Sequence, residues 1–107
     1  MTSNDILFIT GANTGLGFET VKSFLQSPKS YTILLGGRNI EKAVAAKEEA
    51  QGQFPESSST IKTIQIDIED DESINQAFED ISKEYGRLDV LINNAGGDIV
   101  LWNIHKY

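Results

Sequence analysis

The sequence predicts an α/β domain built on an incomplete doubly wound parallel sheet, with four strands in the order 3-2-1-4 and helices on both faces. Three observations carry that expectation. Short apolar runs at 5–10, 31–35, 60–68 and 88–93 alternate with segments of helical periodicity. The first run, with Ile6, Leu7, Phe8 and Ile9, is continuously apolar, as a strand covered on both faces must be. The turn TGANTGLG, residues 10–17, stands where that strand gives way to a helix. Right-handed crossovers on the order βαβαβαβ put strand 1 beside strand 4, so the crevice between them falls next to the glycine turn.

Each element has its own justification. The first helix, from about Gly15 to Gln26, carries Val21, Phe24 and Leu25 and is stopped by Ser27 and Pro28. The second strand, Tyr31 to Leu35, ends at once in the turn Gly36, Gly37, Arg38, Asn39. Asn39 is placed to cap a helix whose apolar face is read as Ile40, Ala43, Val44, Ala50 and Phe54. QFPESSST then reads as a surface crossover. The strand at 60–68 keeps period two through Ile64, Ile66 and Ile68, and it lies near one edge. The acids Glu69, Asp70, Asp71 and Glu72 suit a helix N-terminus, or simply a solvated turn. Ile74, Ala77, Phe78, Ile81 and Tyr85 mark an amphipathic helix that Gly86 closes in the left-handed conformation. Leu88 to Asn93 is the fourth strand.

Composition narrows the chemistry. The 107 residues, 39% of them hydrophobic, suffice for one packed domain. A net charge of -7 argues against nucleic-acid backbones and anionic membranes, so any phosphate site is local. With no cysteine and the single His105 there is no thiol nucleophile and no Cys- or His-rich metal site. The N-terminus lacks a basic segment followed by a long apolar one, and no apolar run approaches the roughly 20 residues of a membrane span. The expected location is cytoplasmic.

The residues that carry chemistry sit at strand ends. Gly11 permits a tight exit from strand 1, Gly15 leaves room for a phosphate, and Gly17 lets the helix approach the sheet. No Gly-Lys-Ser/Thr follows, which excludes a Walker loop. Arg38 ends strand 2, where an acid would accept from a ribose 2'-hydroxyl and an arginine accommodates a 2'-phosphate; the alternative is a solvated surface arginine. Asp67 either meets an adenine amino group or caps the following helix. Asn93, Asn94, Ala95 and Gly96 suit close backbone approach to a ligand, or form an ordinary turn.

TGANTGLG, the GGRN turn, Asp67-Ile68 and NNAG at 93–96 resemble four motifs of the short-chain dehydrogenase/reductase family, over roughly residues 5 to 96 and most closely its carbonyl-reductase-like members. The resemblance implies a Rossmann-type domain with Gly11, Asn13, Thr14, Gly15, Leu16 and Gly17 around the pyrophosphate and adjacent ribose. It implies Arg38 and Asn39 at the 2'-phosphate, Asp67 and Ile68 at adenine, and Asn94, Ala95 and Gly96 towards the nicotinamide ribose. NADP(H) is favoured over NAD(H). The implied chemistry is hydride transfer between NADPH and a carbonyl or alcohol.

Two departures qualify the resemblance. The glycine turn offers Asn13 and Thr14 where many NADP-preferring relatives carry a basic residue. No Tyr-x-x-x-Lys occurs: Tyr31 precedes Leu35 by four, Tyr85 precedes Asp89, and Tyr107 is last. The chain is therefore expected to bind dinucleotide without catalysis, with no catalytic residue assigned. Alternatives are a non-enzymatic nucleotide- or partner-binding module that self-associates through an exposed sheet edge, or a truncated product without settled function. Residues 1–96 are read as the half domain and 97–107 as an atypical tail. In that tail 99–102 either pairs antiparallel on strand 4 or is loosely packed; the second reading is preferred, with Trp102 and His105 incidental.

Overall fold

The computed structural model describes residues 4–95 and 98–103. Eight elements follow one another: β1 (Asp5–Ile9), α1 (Gly15–Leu25), β2 (Tyr31–Gly37), α2 (Ile40–Gln53), β3 (Thr60–Gln65), α3 (Asp71–Tyr85), β4 (Val90–Ala95) and β5 (Asp98–Asn103). They build one sheet in the order β3-β2-β1-β4-β5. The first four strands are parallel, in the expected order 3-2-1-4.

Alternation along β1 and β2 feeds two cores. Leu7, Ile9, Ile33 and Leu35 point to the face covered by α1 and α2, where they meet Val21, Leu25 and Ala46. Ile6, Phe8 and Leu34 point to the other face and pack with Ala77 and Ile81 of α3. Phe8 meets Phe78 edge to face, with ring centroids 5.7 Å apart. Burial on both faces explains why these strands read as unbroken apolar runs.

The boundaries differ from the expected ones where pairing continues or stops. β2 runs on through Gly36 and Gly37, because β3 still offers them partners at Ile64 and Gln65. β3 stops at Gln65: Ile66 N–H donates to Gly37, the last residue of β2, and the Asp67 N–H is taken by Ser73 Oγ at 2.8 Å. Ile68, read as a strand residue, is 44% exposed.

The apolar face of α2 also needs correction. Ile40 and Val44 are exposed, and the buried stripe is Ala43, Ala46 and Ala50. Those alanines recur at helical spacing and have side chains short enough to lay the helix close on the sheet, whereas Ile40 and Val44 are rotated off that line. Asn39 caps α2, accepting from the amides of Glu41 and Lys42, and Gly86 closes α3 at φ 71°.

The tail is corrected as well. Residues 98–103 form β5, antiparallel to β4, with Asp98 opposite Ala95 and Asn103 opposite Val90. The reason lies in β4: its outer row of amides and carbonyls would otherwise lack partners, and a returning segment supplies them. The edge expected to stand open beside strand 4 is covered. Among the described residues no helix is long and apolar enough to cross a membrane.

Candidate functional site

The glycine turn is tied to both neighbouring strands. Beyond β1, Thr10 N–H donates to Ile92 O at 3.0 Å, and Ala12 N–H donates to Gly36 O at 2.8 Å. Thr10 Oγ1 donates to Asn93 Oδ1 at 2.6 Å and accepts from Asn94 N–H at 3.1 Å. Asn94 Nδ2 donates to Gly11 O at 3.1 Å. A Cβ on Gly17 would press on that same Gly11 oxygen and stand 2.8 Å from Asn94 Nδ2, so only glycine lets α1 start this close to β4. Gly15 differs. Nothing lies within 4 Å of a Cβ there, and the backbone requirement is a φ of +60°.

The N-terminus of α1 is open. Thr14 precedes it in extended conformation without a side-chain cap, and no acid stands in the first turn. The other two helices cap themselves, through Asn39 and Asp70. Uncapped amides at the positive end of the helix dipole face the sheet's carboxyl edge, an arrangement receptive to an anion.

A cleft of about 250 Å³ lies at this edge. Gly11, Asn13, Arg38, Asp67, Ile68 and Asn94 line it, together with Ile66 and Glu69. One Asp67 carboxylate oxygen accepts from Glu69 N–H at 3.0 Å, and Asp70 caps α3, which settles the capping alternative against Asp67. Asn94 Oδ1 is buried without a partner among the described residues, an acceptor set against the cleft. Ile66 and Ile68 separate this cleft from an apolar hollow of about 420 Å³ reached by Thr10, Phe78, Leu91 and Asn93. A larger hollow of about 720 Å³ between β3 and α3 shares Arg38 and Asp67 but adds Asp70, Glu72, Asp80 and Glu84. Those acids outnumber the two, Asp67 and Glu69, that face Arg38 in the smaller cleft, so the smaller cleft repels a phosphate less than the larger hollow does.

Six of the sequence-expected residues thus share one cleft. Thr14 and Gly15 open onto a neighbouring hollow that also touches Asn13. Leu16 is 56% exposed on α1, and Gly17 is buried under the turn. Asn39 is spent on the α2 cap and does not line the cleft. Ala95 ends β4, and Gly96 lies outside the described residues. Sequence reasoning missed Thr10, whose signal was a hydroxyl ending an apolar run, and Glu69, whose signal was its place two residues after Asp67.

The features of a dinucleotide cofactor fit these groups: open helix amides for a pyrophosphate, a guanidinium at the end of β2, and an orphaned amide oxygen for a donor such as a ribose hydroxyl. Fold and site define a doubly wound α/β domain with an anion-receptive crevice at the switch point between β1 and β4. The model of the short chain dehydrogenase family matches residues 5–106, beyond the 5 to 96 that the motifs covered, and the chain belongs to that family.

The chain is 48% identical over 95 residues to a short-chain dehydrogenase/reductase of Phoma sp, covering 88% of this chain and 34% of the relative. It is 35% identical over 95 residues to the (+)-neomenthol dehydrogenase of Capsicum annuum, covering 89% and 30%. Among solved structures it superposes on the menthone neomenthol reductase of Mentha piperita with a TM-score of 0.78 at 29% identity, covering 89% of this chain and 32% of that one. The N-domain of a bacterial malonyl-CoA reductase with NADP gives 0.77 at 29% identity, covering 88% and 17%. The chain is homologous to the N-terminal portion of NADP-binding reductases and spans about a third of the curated relatives it matches.

Proposed function

We propose that this chain is the NADP(H)-binding portion of a short-chain reductase. The observation that carries the reading is the convergence of Gly11, Asn13, Arg38, Asp67, Ile68 and Asn94 on one cleft beside the open N-terminus of α1. In this reading the α1 amides and the glycine turn hold the pyrophosphate, with Gly15 leaving space above the turn. Arg38 takes the 2'-phosphate, Ile68 presents an exposed apolar face to adenine, and the remaining capacity of Asp67 accepts from the adenine amino group. Asn94 Oδ1 accepts from a ribose hydroxyl, while its amide stays bound to Gly11. Asn39 acts through the α2 cap that fixes the Arg38 turn. Ala95, at the end of β4, continues the path towards the nicotinamide ribose.

When bound, the nicotinamide supplies or accepts a hydride, and the carbonyl-reducing relatives support that chemistry for a complete reductase. These 107 residues hold no Tyr-x-x-x-Lys. Our reading is that they bind the dinucleotide and turn over no carbonyl. The cysteine-free sequence and the absence of a spanning helix among the described residues support a cytoplasmic location. Self-association through a sheet edge is the weaker part of the reading, since β5 covers the β4 edge.

Calorimetric titration of the purified chain with NADPH and NADH tests the proposal. NADPH is expected to bind at least tenfold more tightly, and Arg38→Ala to bring the two affinities together. Equal affinities in the unaltered chain would remove the role of Arg38, and measurable oxidation of NADPH with a panel of ketones and aldehydes would overturn the expectation of inactivity.

A further inference from the structure

Covering β4 moves the open edge outward without removing it. The sheet ends in β3 on one side and in β5 on the other. In an antiparallel pair alternate residues turn their N–H and C=O to the partner strand, so half of the backbone groups of β5 face β4 and the other half face away from the sheet. That outer row is a template for a further strand.

The two edges are not equivalent. An edge is blunted by a lysine or proline inside the strand, by a bulge, or by making the strand very short. β3 carries Lys62 at its third position, held by an ion pair to Glu84 of α3. β5 has none of these devices. Its residues DIVLWN include no proline and no lysine, and the one charged residue, Asp98, stands at the first position. Its register on β4 runs without a bulge from Asp98 opposite Ala95 to Asn103 opposite Val90.

Charge and symmetry select the occupant. A parallel copy in register would set the two Asp98 residues in adjacent strands about 5 Å apart, where like charges repel. An antiparallel copy separates them. Facing residues in an antiparallel pair turn their backbone groups alike, so a strand that pairs with its own copy is centred on a residue and not between two. For 98–103 that residue is Val100 or Leu101, and the two Asp98 residues then lie about 13 Å or about 20 Å apart, beyond the reach of a screened charge. Such a contact is isologous and closes on itself, whereas β5 against β3 of another copy would leave an edge free at each end and repeat without limit.

We infer that this chain associates with a second copy of itself through β5, antiparallel about a two-fold axis at Val100 or Leu101, joining two five-stranded sheets into one continuous sheet. The inference does not depend on the cofactor reading, because the glycine turn and Arg38 follow β1 and β2, on the far side of β4.

The six residues of β5 are far fewer than the roughly 20–30 a side of a standard interface, so the dimer is weak. Sedimentation equilibrium of the 107-residue chain from about 10 μM to about 1 mM should show the mass rising from 11.8 kDa towards twice that value and levelling there. Hydrogen exchange read by NMR should find one alternate set of amides in 99–103 slow at every concentration, held by β4. The other set should slow at least about fivefold across the range. Val100→Lys and Val100→Glu set like charges close to the axis and should each stay monomeric, while their equimolar mixture should dimerise again. Circular-dichroism melts of both variants check the fold, and the exchange result on the unaltered chain stands whether or not a variant folds. A chain still monomeric at the highest concentration, a mass that climbs past the dimer, or outer amides indifferent to concentration overturns the inference. With unchanged melts, so does either variant dimerising alone as the parent does, or a mixture that stays monomeric.

Discussion

Replacing Gly17 by alanine tests the packing on which the site depends. In a helix an alanine is worth up to about 1 kcal/mol over glycine, so propensity alone predicts a gain. The structure predicts a loss. The added methyl would press on the Gly11 carbonyl and lie 2.8 Å from Asn94 Nδ2 and 2.9 Å from Ala12 Cα. Two of those three groups are backbone, in a turn already bonded to β2 and β4.

Overpacking of this kind costs about 1–3 kcal/mol. Displacing Asn94 also breaks its 3.1 Å bond to Gly11 O, and a part-buried polar group left unpaired costs about 1–3 kcal/mol. After subtracting the helix gain, the net loss is about 1–5 kcal/mol, or a fall in Tm on the order of 10 °C for a domain this size. Thermal melts of Gly17→Ala against the unaltered chain measure it. Gly15→Ala is the control: it meets no atom within 4 Å and carries only the left-handed penalty of about 1–2 kcal/mol. A Gly17→Ala protein as stable as the parent, or less destabilised than Gly15→Ala, would refute the close-approach argument.

Further outcomes follow from other contacts. Asp89 Oδ2 accepts from Ile6 N–H at 2.7 Å and from Arg87 Nε at 3.1 Å, so Asp89→Ala should cost about 2–3 kcal/mol in denaturant melts by stranding the Ile6 amide. Tyr85 is raised above its ordinary 10.0 chiefly by burial, and Lys29 and Lys62 above 10.5 chiefly by their bonds to Asp5 and Glu84. Each group holds its proton more tightly when folded, so this stability is complete below about pH 10 and is lost as pH rises through the raised values. Tm should be flat up to about pH 10 and fall beyond it, with a shallower fall in Tyr85→Phe. Removing residues 98–107 uncovers β4, and light scattering should then show size growing with concentration; a monodisperse product would mean that β5 does not protect the edge.

The sheet was legible because each strand announced itself locally, and a parallel sheet gathers its strand ends at one edge. That is why Gly11, Arg38, Asp67 and Asn94, far apart in sequence, could be grouped from the strand order alone. Features that depend on a neighbour's needs were not legible. α2 buries its alanines in place of Ile40 and Val44 because close approach to the sheet rewards small side chains, which apolar periodicity does not register. The division of labour between Asp67 and Asp70 turns on which backbone amide each oxygen reaches. For 99–102 the pairing on strand 4 was one of two open readings, and what decides for it, the demand of the β4 edge for partners, is not written in those residues.

The direction of β5 sets where the chain is delivered. A fifth parallel strand would climb towards the edge that holds the glycine turn and release its successor above the cleft. β5 descends instead, from Asp98 beside Ala95 to Asn103 beside Val90, and so retreats about 17 Å from that edge over five residue steps. At Asn103 the backbone stands near the end of the sheet where β1 enters. The mouth of the cleft on the β4 side is left unroofed by this strand, so under the proposed cofactor reading a group that works on the nicotinamide must retrace that distance or arrive on another polypeptide.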